Sequence, residues 1–536
     1  MSAVAPVDAP QTAELQADPV QARPAAARSP STAPMQGSVL WITAVSLALG
    51  TFMQVLDGSI ANVSLPTIAG NLGVSSDQGT WIVTSFAVAN GISVPLTGWL
   101  MQRFGVVRTF VWSVLLFTVA SFLCGAAWSL TSIVGFRVLQ GLVSGPLIPG
   151  SQALLVTIFP PEKRATGLAV WSMTTLVAPV CGPILGGWIS DNIAWRWIFY
   201  INLPVGAICA FLCWRNLKSR ETPTRKLPVD VVGLMLLATW VGALQVMLDT
   251  GKDADWFSSP LVTVLAVVAV VGFFAWLIWE TTAAYPIVDL SLFRSRNFSL
   301  GVLGLSVTYA VFFGANLLLP LWLQSNLGYI ATWAGLVAAP SGLVALVLTP
   351  FAARFTSRLD PRINATFAIV CFAVSFWMRS RYSPDGDFIS FVAPLLIQGV
   401  AMSVFFVAFL NIYLADVTPD RMPAASGLSS FARITAGGMA ASIVTTIWDR
   451  REALHQTRLA DASADAPFQG ALAALQQSGM SQMQALGALG RQVENQAYAV
   501  STVELFYASA ILLVLLVPLI WITRRPGAVS AEPAGE

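Results

Sequence analysis

Two charges stand inside long apolar runs, where a charge is costly and therefore a functional candidate. Asp57 lies nine residues before Pro66, at the end of the first apolar run, and Arg137 lies six residues after Thr131, at the start of the fourth. At 1.5 Å per residue both sit roughly 9–14 Å below the same membrane surface. Opposite charges at matching depth can pair, or sense each other across a cavity. The chemistry this suits is proton transfer: desolvation favours the protonated carboxyl and a nearby guanidinium favours the carboxylate, so moving either switches proton affinity. A structural ion pair would leave the same trace. Arg433, ten residues into a later run, is either a clamp on backbone carbonyls or a substrate contact, and Glu504 sits near the start of the last run, at its interface.

Other chemistry is poorly represented. The one histidine, His455, is in a polar stretch and carries no expected role. The five cysteines, an odd number, all fall in apolar runs, which argues against a disulfide framework. Cys209 and Cys213 share a helix face, but no His or carboxylate lies near them to complete a metal site. No Walker loop is present, so uphill work would draw on an ion gradient rather than ATP, and no cofactor is expected.

The elements that position these residues follow from composition. The chain has 536 residues, of which 56% are hydrophobic and 10% charged, with a net charge of +2. A soluble domain runs near 25% charged, so an ordinary soluble enzyme, a disulfide scaffold and a disordered protein are excluded. Continuous apolar runs of about 20 residues indicate helices rather than a β-barrel. The reading is an all-α polytopic membrane protein with fourteen spans arranged 6 + 2 + 6, near 38–64, 79–100, 106–128, 131–155, 165–190, 195–214, 229–249, 258–281, 298–324, 331–353, 361–381, 389–415, 423–448 and 502–523. With the N-terminus inside, 19 Lys and Arg fall on the cytoplasmic side and 8 outside, which sets both termini in the cytoplasm.

Residues 1–36 and 526–536 read as cytoplasmic tails, the first disordered; 37–214 as an N-terminal six-helix bundle; 215–297 as a linker with two extra spans; and 298–525 as a C-terminal six-helix bundle. The last includes a long outer, periplasmic loop, 449–501. Within it Ser481-x-x-Gln484 and then Met483, Leu486, Leu489 and Val493 predict a short amphipathic helix, either a lid on its own bundle or a docking surface.

Several local sequences then converge. The fifth span carries Ala178-Pro179-Val180-Cys181-Gly182-Pro183-Ile184-Leu185-Gly186-Gly187, where glycines permit close helix approach and prolines remove backbone donors. Leu56-Asp57-Gly58-Ser59-Ile60-Ala61-Asn62-Val63-Ser64-Leu65-Pro66, Arg137-Val138-Leu139-Gln140-Gly141 and Trp195-Arg196-Trp197-Ile198-Phe199-Tyr200-Ile201-Asn202-Leu203-Pro204-Val205-Gly206 accompany it. Together they resemble the fourteen-span drug:proton antiporters of the major facilitator superfamily, the EmrB-type multidrug exporters in particular. Gly98-Trp99-Leu100-Met101-Gln102-Arg103-Phe104-Gly105 resembles the superfamily's cytoplasmic gating loop, with Gln102 where an Asp is usual.

The resemblance implies the major facilitator fold, two bundles around a midplane cavity, and a proton-driven exporter of hydrophobic drugs or uncouplers in the bacterial inner membrane. It implies proton coupling at Asp57 and Arg137, and conformational roles for Gly98, Arg103, Gly105, Gly182, Pro183, Gly186 and Gly187. The implied partners are a periplasmic adaptor of the EmrA type, an outer-membrane channel of the TolC type and the lipid bilayer; no nucleic acid is involved. Gln54, Asn90, Gln140, Phe313, Asn316, Phe409 and Arg433 are the expected cavity contacts, alongside the aromatics Tyr309, Phe312, Phe405 and Phe406. A dedicated exporter of one metabolite or fatty acid is the alternative within transport. A membrane-embedded enzyme or receptor is the alternative outside it.

Overall fold

In the computed structural model, residues 34–525 are described apart from 75, 161–162, 226–227, 253, 330, 357–358, 419–420 and 462–465. The two terminal tails, save 34–36, lie outside the described residues, as does the side chain of Pro183. The first half comprises α1 (Gly37–Leu72), α2 (Trp81–Phe104), α3 (Val106–Gly125), α4 (Leu130–Ile158), α5 (Arg164–Asn192) and α6 (Trp197–Arg220). Then come α7 (Val231–Gly251) and α8 (Pro260–Thr282). The second half comprises α9 (Arg296–Ser325), α10 (Ala331–Thr356), α11 (Pro361–Arg379), α12 (Phe388–Tyr413), α13 (Met422–Asp461) and α14 (Gln482–Trp521).

Local sequence sets the boundaries. Ser129 caps α4 through a reciprocal bond with Ser132, and Asp230, Ser295, Asp360 and Asp387 each cap the helix that follows. Gly105, at φ +95°, makes the sharp elbow between α2 and α3, a conformation that only glycine adopts freely. Pro95 tightens α2 into a short 3-10 turn, and Gly145-Pro146 interrupts α4.

Twelve of these helices are long and apolar enough to cross a membrane, among the described residues; α5 and α13 are not in that set. Residues 422–448 of α13 are largely Ala, Gly, Ser and Thr, with Arg433 among them.

The packing repeats. In the first half α1 lies against α5 and α6, α2 against α4, and α3 against α4 and α6. In the second half α9 lies against α13 and α14, α10 against α12, and α11 against α12 and α14. The halves meet where α5 packs on α10 and where α2 and α4 meet α13. Across the middle of that seam the Trp171 ring of α5 meets Phe406 of α12 edge-on, 6.1 Å between centroids. The inserted α7 touches both α2 and α13.

One expectation is corrected. Among the described residues, 449–501 are nearly all helical rather than a loop with one short helix in it. The helix α13 continues to Asp461 and α14 begins at Gln482, each 40 residues long, with the helix Ala466–Gln477 between them. A 40-residue helix is about 60 Å long, twice the hydrocarbon thickness. The physical reason is propensity: beyond the apolar stretch the sequence stays rich in Ala, Leu, Gln, Arg and Glu, so helix formation outlasts hydrophobicity. Tertiary contacts then hold the two extensions together. Trp448 Nε1 donates to Thr502 Oγ1 (2.9 Å), and Arg451 and His455 meet Glu504 at 2.9 and 3.0 Å. The expected capping box at Ser481 and Gln484 is present, as the start of α14 itself. Leu489 is buried, whereas Met483 is 84% exposed and Leu486 faces outward with it.

Candidate functional site

The N-terminal half is organised around one carboxylate. Asp57 and Arg137 are both fully enclosed, and Arg137 Nη1 lies 2.5 Å from Asp57 Oδ2. The second oxygen, Oδ1, accepts from Gln140 Nε2 (3.1 Å) and Asn202 Nδ2 (3.0 Å). Arg137 Nε donates to the carbonyl of Ile82 (3.0 Å), and its Nη1 also donates to Gln140 Oε1 (2.9 Å). The guanidinium carbon stands 4.2 Å from the centroid of the Phe86 ring, whose face attracts a cation. Asn202 reaches on to Ser121 Oγ (2.9 Å). One acid thus ties together α1, α4 and α6, and through its partners α2 and α3. A buried pair held this way is costly to break, because either charge left alone in the interior is destabilising.

The C-terminal half holds a second buried arginine in a different setting. Arg379, at the end of α11, is fully enclosed and donates to Gln398 Oε1 of α12. Gln398 Nε2 donates to Asn316 Oδ1 of α9 (2.9 Å), and Asn316 Nδ2 to the carbonyl of Phe312 (2.7 Å). Nε and Nη1 of Arg379 have no hydrogen-bond partner, and among the described residues no carboxylate pairs with it.

Within the second half Arg433 of α13 lies over Tyr309 of α9 (4.7 Å) and Phe406 of α12 (5.7 Å), the ring that meets Trp171 of the first half, and Tyr309 stacks on the partly exposed Phe313 (5.9 Å). This aromatic patch with one cation suits the wall of a binding cavity.

The other expected residues separate. Gln140 belongs to the Asp57 cluster, and Asn90 donates to Ser144 Oγ (2.7 Å) within the first half. Gln54 is buried with its Oε1 unpartnered. Phe409 is fully buried, packed on Phe405 and against Gly304, in the interior of the second bundle. Gly182 and Gly186 lie against Ser59 and Ile60 of α1, within one half, while a Cβ on Gly187 would meet nothing. A Cβ on Gly98 would stand 2.8 Å from Ala424 Cα, so this glycine seats α2 on α13 at the seam. In place of the usual acid at Gln102, the linker's Glu221 accepts from the backbone N–H of Val107 (3.0 Å) and Arg108 (2.9 Å) and packs against Gly105.

Asn202, Ser121, Arg379 and Gln398 were not singled out by sequence as site residues. Asn202 falls inside the Trp195–Gly206 signature, which was the available signal. Among the described residues no cluster of His, Cys, Asp and Glu could hold a metal ion.

Residues 47–442 match the family described as Major Facilitator Superfamily. The chain is 48% identical over 498 residues to the "Multidrug export protein EmrB" of Escherichia coli (strain K12), covering 92% of this chain and 97% of that one. It is 46% identical over 496 residues to the "Fatty acid resistance protein FarB" of Neisseria gonorrhoeae, covering 92% and 98%. Its fold is similar to the crystal structure of the human organic anion transporter MFSD10 (TETRAN), with a TM-score of 0.55, 14% identity and coverage of 90% and 100%.

Proposed function

The chain belongs to the Major Facilitator Superfamily, and from that premise we propose that it is a proton-driven antiporter exporting hydrophobic drugs or uncouplers by alternating access. It is a multi-pass transporter of the inner membrane, not an enzyme. The observation that carries the coupling is Asp57, an enclosed acid of α1 on which three side chains from α4 and α6 converge. As a carboxylate it holds Arg137, Gln140 and Asn202. When protonated it loses its charge attraction for Arg137 and an acceptor site, and the grip on α4 and α6 relaxes. Proton binding therefore changes how the helices of the first half sit, and with them the seam to the second half.

The cargo occupies the space between the halves, against Arg433, Tyr309, Phe313 and Phe406, with Gln54 and Asn316 as further polar points. All fourteen helices cross the membrane, as a 6 + 2 + 6 arrangement with both termini cytoplasmic. The α13 and α14 extensions then stand on the outer side, where they offer a surface to a periplasmic adaptor of the EmrA type, leading to an outer-membrane channel of the TolC type. The similarity to FarB favours one second reading, a dedicated fatty-acid exporter.

The test is purified protein in proteoliposomes under an imposed pH gradient. A fluorescent hydrophobic drug should move against its own gradient while protons move the other way. Drug movement indifferent to the pH gradient, or restricted to long-chain fatty acids, would replace this reading.

A further inference from the structure

We infer that the chain binds one acidic phospholipid in a groove on the flank of the N-terminal bundle, at the arginine-rich end of α2 and α3. The groove has a volume of about 510 Å³. Its rim carries Arg103 and Arg108, with Thr224; its apolar floor carries Trp112, Leu116 and Leu142, and the buried Thr109 and Ser113 complete the lining. Those three floor side chains are 61%, 46% and 43% exposed. On helices that cross a bilayer, such apolar exposure faces acyl chains.

The charges and the apolar floor are in register with an amphiphile. From Arg108 to Leu116 is eight residues of helix, about 12 Å, the depth of a head group and the upper part of its chains. A soluble anion would leave the floor uncovered, and a hydrocarbon would leave the exposed donors of Arg108 against apolar chains. Arg108 keeps donors to spare. Its nearest carboxylate, Glu221, is 3.9 Å from Nε and already accepts from the backbone N–H of Val107 and Arg108. Arg103 is held at the rim by the rings of Trp99 and Phe104, 5.4 and 5.7 Å from its guanidinium carbon. Guanidinium groups match phosphate oxygens with paired donors, and basic pockets between membrane helices select acidic head groups.

The backbone builds this groove. The Gly105 elbow places Arg103 and Arg108 on one rim, and the break at Gly145-Pro146 shapes the facing wall on α4. The wall formed by Leu100–Phe104 belongs to the same helix whose Gly98 seats against Ala424. A bound lipid therefore braces α2 in the arrangement that closes the seam. The inference rests on the membrane location and not on proton coupling, so the two can fail separately.

The experiment is native mass spectrometry of the full-length protein titrated with phosphatidylglycerol or phosphatidylcholine. One phosphatidylglycerol per chain should bind tighter than phosphatidylcholine, with affinity falling as salt rises. Arg108→Gln should weaken it roughly fivefold and Arg108→Gln with Trp112→Ala by more, whereas Arg294→Gln, which removes a charge away from the groove, should not. Equal affinity for the two lipids, no salt dependence, or equal loss in Arg294→Gln would each overturn the inference. Should the double variant fail to fold, the salt titration of the unaltered protein and Arg108→Gln alone decide the matter. Displacement of phosphatidylglycerol by glycerol phosphate at comparable concentration would show a head-group site only and would overturn the lipid assignment.

Discussion

The two halves of the molecule share an amide framework and differ in whether that framework holds an acid. In the first half Gln140 of α4 donates to Asp57 of α1; in the second, Gln398 of α12 donates to Asn316 of α9. These helix pairs occupy corresponding places in the repeated packing. Each glutamine also accepts from a fully buried arginine, Arg137 or Arg379. A carboxylate can gain and lose a proton and an amide cannot. The proton handling proposed for this chain therefore falls to the first half, and the second keeps a neutral polar strut.

Asp57→Asn makes the first half resemble the second, and its expected effect is the largest. The side chain keeps its shape and its acceptor but no longer titrates. A proton moving down 100 mV supplies about 2.3 kcal/mol, enough for roughly 50-fold drug accumulation. The variant should be present in the membrane and accumulate none. Accumulation that still follows an imposed pH gradient would dissolve the distinction between the halves.

A second variant separates the chemistry of either half from the closing of the seam. A side chain at Gly98 has no room beside Ala424, and overpacking of this kind costs about 1–3 kcal/mol. Gly98→Leu should thus disfavour the closed seam and slow transport by roughly tenfold or more, with proton binding at Asp57 intact. Gly186→Leu presses instead on Ile60 of the same half, so it should lower the melting temperature more than the turnover of surviving protein. Double-electron resonance between labels on α2 and α13 would check the first; reversal of the two outcomes would mean that α5, rather than α2, carries the seam.

Arg137→Lys asks whether the pair needs a guanidinium or only a charge. An ammonium cannot reach Asp57, Gln140 and the Ile82 carbonyl with the same fixed fork. The loss of about one hydrogen bond to a charged network predicts a roughly tenfold slower drug-coupled proton flux, smaller than the effect at Asp57. Equal rates would reduce Arg137 to a counter-charge.

How much of this was legible in the sequence depends on the kind of residue. Asp57 and Arg137 stand out because a charge within an apolar run is expensive. Asn202 and Gln398 do not, since a neutral amide in a membrane helix is unremarkable until its partner is known. Arg379 does not stand out either, because it ends its apolar run two residues before Arg381; tertiary packing of Phe376, Tyr382 and Phe506 encloses one and leaves the other exposed. Phe409 shows the limit for aromatics: α12 is buried on nearly all sides, so spacing could not separate a cavity wall from a core. The run 449–501 was read as a loop because apolarity marks where a membrane span ends, not where a helix ends.

Arg379→Met is the finest test, and its expected effect on transport is the smallest. The buried guanidinium has a hydrogen bond to Gln398 but no paired acid among the described residues. Enclosing an unpaired charge costs several kcal/mol. Removing it strands Gln398 Oε1, which costs about 1–3 kcal/mol. The first quantity is the larger, so the variant should melt at a higher temperature in detergent. Its transport should stay within about threefold, because the lost bond is of ordinary strength and no titrating group is touched. Loss of proton-coupled efflux comparable with Asp57→Asn would reverse the assignment. It would mean that an acid, from the cargo or from another state of the chain, meets Arg379 during the cycle and that both halves carry charge chemistry.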